Sequence, residues 1–415
     1  MKNILFIGIL MTLLSCEEIY EYNPVRDFSD KQKSILTSFI LARDSSVIEL
    51  PAGHFLFDKS LILEGKKHVT IKGQGSHKTV LSFKDQTQGA EGIRIANCQN
   101  IVLKDFAIED AAGDNIKATD TNGITFENLN VGWTGVADST NGAYGLYPVL
   151  CSNVTVSACT VFGASDAGIY VGQSDTVLIE NNTTYWNVAG IESENSKEVI
   201  IRNNKSYQNT GGILVFDLPG LTQYGRNIEV YNNEVYENNT PNFAPPGNMV
   251  GVTPPGTGIL VLATKGVKIH DNNIRNNRTI AVGMVSYALL EAMGGDENTG
   301  GGGSREELER KNQKDQNYDP YVGNVKVYNN RYENTYLLPN LDNDFGKLFL
   351  FKFGFSIPQV AWDGLKSPNY FLADGSINPE YAICVNEGSK IISVNLDAEN
   401  DFEGLEENPQ VFNCL

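Results

Sequence analysis

The sequence predicts an all-β solenoid, and three observations predict it. A phrase recurs after 22 residues: DAGIYVGQSDTVLIENN at 166–182 returns as VAGIESENSKEVIIRNN at 188–204. Each copy carries two short segments in which apolar and polar residues alternate, as in VLIEN, VIIRN and IEVYN. Asparagines fall at fixed places in successive copies. Alternation over four or five residues marks a half-buried strand. A unit this short cannot hold a helical pair, but it fits one solenoid turn, which buries its inward face only by stacking on its neighbours.

The first segment of each unit begins at Ile93, Ile116, Leu146, Ile169, Ile191, Ile213 and Ile259. The second begins at Val69, Ile101, Ile124, Val154, Val177, Val199, Ile228, Val267 and Val325. About nine turns at about 4.8 Å each give a rod of about 40 Å. Asn182, Asn204, Asn233, Asn272 and Asn330 form one register series, and Asn187, Asn209, Asn238 and Asn277 a second. Asparagine tolerates a left-handed corner and can bond the copy above, so both series are expected to be structural ladders.

With these units in view, residues 45–335 resemble the right-handed parallel β-helix of the pectin-lyase superfamily. Segment 29–57, SDKQKSILTSFILARDSSVIELPAGHFLF, resembles the N-terminal cap of that fold, an amphipathic helix followed by a strand. GAYGLYPV (142–149), ASDAGIYVGQS (164–174), NVAGIESENS (187–196), TGGILVFDLPG (210–220) and NNTPNFAPPGN (238–248) resemble a family of exported β-helix repeat proteins without a settled activity. The resemblance implies a single-stranded right-handed β-helix with an N-terminal helix cap and an irregular C-terminal cap. It leaves the chemistry open. The superfamily's paired-aspartate, Gly-His-Gly, Asp-Pro-His and WiDH signatures are missing. His54, His68, His77 and His270 fall outside the expected cleft.

Forty glycines and a charged fraction of 20% in 415 residues describe a turn-rich globular chain. A formal charge of −18 disfavours nucleic acid and anionic bilayers, whose phosphates it would repel. Lys2 and the apolar run ILFIGILMTLL (4–14), ending at LLSC, resemble a lipoprotein signal whose Cys16 takes the lipid. The expected partition is therefore a signal peptide (1–15), an acidic tether (16–28), the β-helix (29–335) and a C-terminal capping region (336–415). The expected location is the outer membrane or cell surface, with membrane contact through the lipid anchor alone. An exported protein meets oxidising conditions, so Cys384 and Cys414 are expected to pair. Cys98, Cys151 and Cys159 lie in the repeats with no assigned partner.

Insertions interrupt the repeat at 132–144, 216–227, 239–257 and 288–323. They leave the ends of the first strand, so they are expected to wall a groove on the outer face of that sheet. The stretch 291–323 is Gly-rich, then charged, and is expected to be mobile. The apolar stretch LFLFKFGFSIPQVAW (348–362) is expected to cover the last open turn.

One residue after each strand start comes Arg94, Lys117, Tyr147, Tyr170, Glu192, Leu214 and Leu260. Tyrosines flanked by hydrogen-bonding groups suit sugar rings, with their CH faces and hydroxyl edges. The expected partner is thus a polysaccharide, acidic if Arg94 and Lys117 neutralise a uronate. Lys117, Tyr147 and Tyr170 are the candidate acids and bases for proton abstraction, which is lyase or epimerase chemistry. Arg94, Tyr144, Gln173, Glu192 and Asn195 are the candidate substrate contacts. Asp166, Glu192 and Asp217 on consecutive turns are a candidate Ca2+ site through their oxygens. The competing reading is a non-enzymatic scaffold that docks another exported protein, since any solenoid carries outward polar ladders.

Overall fold

The computed structural model describes residues 21–293, 315–388, 390–412 and 414. The signal segment, Cys16 and most of the Gly-rich insertion lie outside these residues. Each coil contributes three strands rather than the two segments visible in the sequence. Ile116–Thr119, Asn122–Glu127 and Asn130–Gly132 make one coil, for example. The third strand is three residues long and carries too little alternation to stand out. Among the described residues the three long sheets hold 12, 11 and 11 strands, one of the 12 an antiparallel edge strand, so the rod reaches beyond nine turns. The extra rungs come from both ends: Val47–Glu49 pairs with Thr70–Lys72, and Val360–Trp362 pairs with Ser393–Asn395.

Inside the rod, Ile93, Ile116, Leu146, Ile169, Ile191, Ile213 and Ile259 stack in register as one buried column. Corresponding columns from the other sheets complete a continuous apolar interior. The expected N-terminal helix is present at Gln32–Ile40, and its buried Ile35 and Phe39, one turn apart, close that end.

Both asparagine series form ladders. Asn182 Nδ2 donates to Asn204 Oδ1 at 3.0 Å, and the pattern repeats through Asn233, Asn272 and Asn330. The second ladder runs from Asn187 through Asn209 and Asn238 to Asn277. The left-handed corner, however, falls on the residue before each first-ladder asparagine: Asn181, Asn203, Asn232, Asp271 and Asn329 have φ of 54–59°. The dihedral is absorbed by an exposed residue, which frees the buried amide to bond along the rod axis. The first ladder stops at Glu387, whose carboxylate accepts from Asn330 N at 2.8 Å and Asn330 Nδ2 at 3.0 Å.

The C-terminal apolar stretch divides between the outer flank and the end of the rod. Residues Asp344–Phe353 form a helix capped by Asn343, whose side chain accepts from Gly346 N. It lies on the outer flank of the first sheet, with Phe349 against Ile280, Ala361 and Val394. The interior is closed by Trp362, the last residue of the stretch expected to cover this end, together with Tyr370 and Phe412. Cys384 and Cys414 are joined, fixing the tail near this end. Cys98, Cys151 and Cys159 are buried free thiols.

The tether segment is not free beyond Glu21. Glu21–Tyr22 pairs antiparallel with Gly135–Val136, and Phe28–Ser29 joins the third sheet. Arg26 forms an ion pair with the buried Glu109, and Tyr22 packs edge-on against Phe162. The guanidinium satisfies a carboxylate that burial would otherwise leave uncompensated.

Candidate functional site on the outer face of the first sheet

The outward ladder is in register. Arg94, Lys117 and Tyr147 occupy equivalent positions on successive strands. Tyr170, Glu192, Leu214 and Leu260 continue the column. Their burial splits it in two. Arg94, Lys117 and Tyr147 keep partial exposure. Tyr170, Glu192, Leu214 and Leu260 are 4%, 1%, 0% and 7% exposed. The insertions expected to wall a groove instead fold over its far half.

The cover is a second hydrophobic core. Leu214, Phe216, Leu260 and Leu262 from the sheet meet Val250 and Tyr318 from the insertions and Tyr287 just before the last of them. The apolar residues at 243–250, which face nothing in the sequence, are what makes that insertion lie down. Polar pins hold the rest. Asn195 donates to Leu218 O at 3.0 Å and Gln223 O at 2.7 Å, and it accepts from Leu218 N. Gln173 accepts from Thr222 N and Oγ1. Gln173 and Asn195, two expected substrate contacts, thus spend their hydrogen bonds on the 216–227 insertion.

At the boundary between the halves sits a cluster of tyrosines and acids. The rings of Tyr144, Tyr147 and Tyr170 lie 4.4–4.9 Å apart. Lys117 Nζ stands 4.6 Å from the Tyr147 centroid and 3.8 Å from Asp114 Oδ2. Tyr144 OH donates to Asp166 Oδ2 at 3.3 Å, and Asn248 Nδ2 donates to the same oxygen at 3.0 Å. Tyr170 OH donates to Glu194 Oε1 at 2.6 Å. Asp166 Oδ1 and Glu192 Oε2 are buried without a hydrogen-bond partner among the described residues.

The electrostatics follow from burial. Burial, then the Glu194 charge, pushes the Asp166 carboxyl up. Glu192 is driven up by burial and by Asp166 and Glu194, and Glu194 by burial. Asp114 rises to about 6 through burial, partly offset by Lys117. Burial, Asp114 and Glu194 together hold Tyr147 as a phenol, pushed up to about 12. Tyr170 is raised for similar reasons. Removing a carboxyl from water disfavours its charge, so burial favours the neutral form of Asp166, Glu192 and Glu194.

The expected calcium triad does not assemble. Both Asp217 oxygens accept from Gly225 N, at 2.7 and 2.9 Å, so this carboxyl closes its own loop. Among the described residues no group of three His, Cys, Asp or Glu is placed to hold a metal ion. Asp114, Glu194 and Asn248 are site residues the sequence reading missed. Glu194 had a signal, since strict alternation from Ile191 puts it outward beside Glu192. Asp114 precedes its strand and Asn248 lies in an insertion, where no register applies.

A profile described as "Right handed beta helix region" matches residues 144–290. No curated protein matches the chain. Solved structures with a similar course include the A-module of mannuronan C-5 epimerase AlgE6 from Azotobacter vinelandii, at 18% identity and TM-score 0.48, covering 74% of this chain and 84% of that one. An alginate lyase from Paenibacillus sp. follows at 11% identity and TM-score 0.41, over 73% and 93% of the two chains. DFA-IIIase from Arthrobacter chlorophenolicus gives 9% and 0.44, over 76% and 82%. Identities this low carry no residue role or substrate across. Coil order and three-sheet register make this chain a parallel β-helix, and the profile matched over residues 144–290 is that of a right-handed one.

Proposed function

We propose that the open half of the outer face, Arg94–Lys117–Tyr147, is a polysaccharide-binding site. The observation that carries the reading is the register of these three side chains along a rigid sheet, ending at a cluster of tyrosines and buried acids. A rigid row spaced by the strand separation meets a linear chain of rings at low entropic cost. Tyr147 offers a ring face, and the adjoining hydroxyls and carboxyls offer donors.

Lyase or epimerase chemistry on a uronate is the finer reading, and the geometry supports it less well. It needs a base beside the sugar ring. Tyr147 and Tyr170 stay protonated. Of the three candidates this leaves Lys117, already held by Asp114 and the Tyr147 ring. Binding without elimination is therefore the expected result. A panel of alginate, pectate, glycosaminoglycans and neutral glycans, scored for binding and for the absorbance of unsaturated product, tests both levels. Failure of every glycan to bind removes the reading, and unsaturated product restores the lyase.

A second reading, a protein-docking scaffold, rests on another surface. Leu337, Phe351 and Phe355 are 76%, 84% and 72% exposed on the C-terminal flank. Large exposed apolar side chains in one region mark contact sites. A cross-linked exported partner lost in Phe351→Ser, with no glycan bound, would favour it. We also read Cys16 as lipidated and the protein as displayed on the outer membrane or cell surface. Fatty-acid labelling that persists in Cys16→Ser overturns that.

A further inference from the structure

We infer that the edge of the rod where the third sheet turns into the first rests on a lipid surface, with Leu337, Phe351 and Phe355 dipping into it. This rests on the reading of Cys16 as lipidated and goes beyond it, because it adds a second membrane contact to the anchor.

Two features share that edge. The first is the tether. Glu21–Tyr22 pairs with Gly135–Val136, in the turn from Asn130–Gly132 of the third sheet to Tyr144–Val149 of the first. The Tyr22 ring on Phe162 and the Arg26–Glu109 ion pair fasten it there. Cys16 stands five residues before Glu21. Five extended residues reach about 18 Å at most. A lipid on Cys16 therefore enters its bilayer close to this edge. The second feature is residues 334–359, which make the same third-to-first turn from Arg331–Glu333 to Val360–Trp362. The strands between the two turns keep register in the third sheet and in the first. Both turns thus line one edge. Val360–Trp362 is the sixth strand from Tyr144–Val149, which sets the two features about 29 Å apart.

Packing aims the apolar side chains outward. In the helix Asp344–Phe353, Phe345, Leu348, Phe349 and Phe353 pack on the sheet side. That leaves Phe351 on the opposite side, where it is exposed like Phe355 and Leu337. The charge of the turn fits a neutral bilayer. The chain carries −18, yet within 334–359 Asp342 and Asp344 balance Lys347 and Lys352. Lys347 pairs with Asp344 at 2.9 Å. Phenylalanine and leucine with lysines that reach back towards water make an interfacial contact. The acidic remainder of the rod opposes anionic headgroups, so the surface is zwitterionic. A patch of three side chains binds weakly alone. Held by the anchor, it acts at high effective concentration.

The test uses the full chain, extracted from membranes and reconstituted into phosphatidylcholine vesicles, with its lipid read by intact mass. Phe351→Trp is compared with Lys326→Trp on the second sheet, each as its difference from the parent chain. Lipid brominated near the headgroups is expected to quench the first and spare the second. Phe351→Ser/Phe355→Ser, checked by circular dichroism melts, is expected to pass between vesicles about tenfold faster than the parent. Equal quenching at both positions, no quenching at either, or a folded double variant that transfers at the parent rate overturns the inference and leaves the anchor standing. A co-extracted protein cross-linked at position 351, in place of quenching by lipid, overturns it in favour of the docking reading. A chain without lipid ends the anchor reading and this inference with it.

Discussion

The two halves of the outer face are built on one ladder and have opposite fates. Lys117 and Tyr147 in the near half, and Glu192 and Leu214 in the far half, hold the same register position on neighbouring strands. The near half meets solvent; the far half lies under a second core. Register decides which way a side chain points, and the insertions decide whether it reaches water. A solenoid can thus vary its surface without disturbing its interior.

Four experiments break or sharpen this contrast. The largest effect is expected at Phe216, fully buried in the second core. Phe216→Ala should cost about 3–5 kcal/mol in denaturant unfolding, as in a primary core. A cost below about 1 kcal/mol would mean the cover is loose. Val250 is held from the insertion side. Val250→Ala should cost about 2 kcal/mol and make residues 239–257 more readily cut by protease, with the rod intact.

The third expectation concerns pH. The Asp166 carboxyl rises from 3.8 to about 8 on folding. An acid raised in this way stabilises the fold fully below its unfolded value. That contribution is lost as pH climbs through the folded value. Thermal stability should therefore decline from about pH 4 to pH 8, and Asp166→Asn should make the decline shallower. Asp217 and Asp363, raised to about 8 and about 7 by burial, keep part of the slope in the variant. An unchanged slope would show that Asp166 is not protonated as described. The smallest stability effect belongs to the open half. Tyr147→Ala should shift stability by about 1 kcal/mol or less, yet weaken glycan binding about tenfold.

The interior was legible because strand alternation is written in every unit. Ile191, Ile213 and Ile259 announce themselves by spacing, and so do the asparagine ladders. The three-residue strands were not legible, since KSY or TVF holds a single inward residue. The cover was illegible for a different reason. Val250, Tyr287 and Tyr318 belong to segments without periodicity, and only the assembled rod reveals the surface they meet. Gln173 and Asn195 looked like site residues by register. Their partners, Thr222, Leu218 and Gln223, came from an insertion whose path the sequence does not encode locally.

The carboxylate of Glu387 has a consequence for assembly. An amide accepts from one rung and donates to the next, so a column of amides is a template that extends for as long as further rungs arrive. Glu387 takes both donors of Asn330 and has no side-chain N–H to pass on. A second rod meeting this end finds acceptors where it would need donors, which opposes the end-to-end growth of filaments that open sheet edges invite.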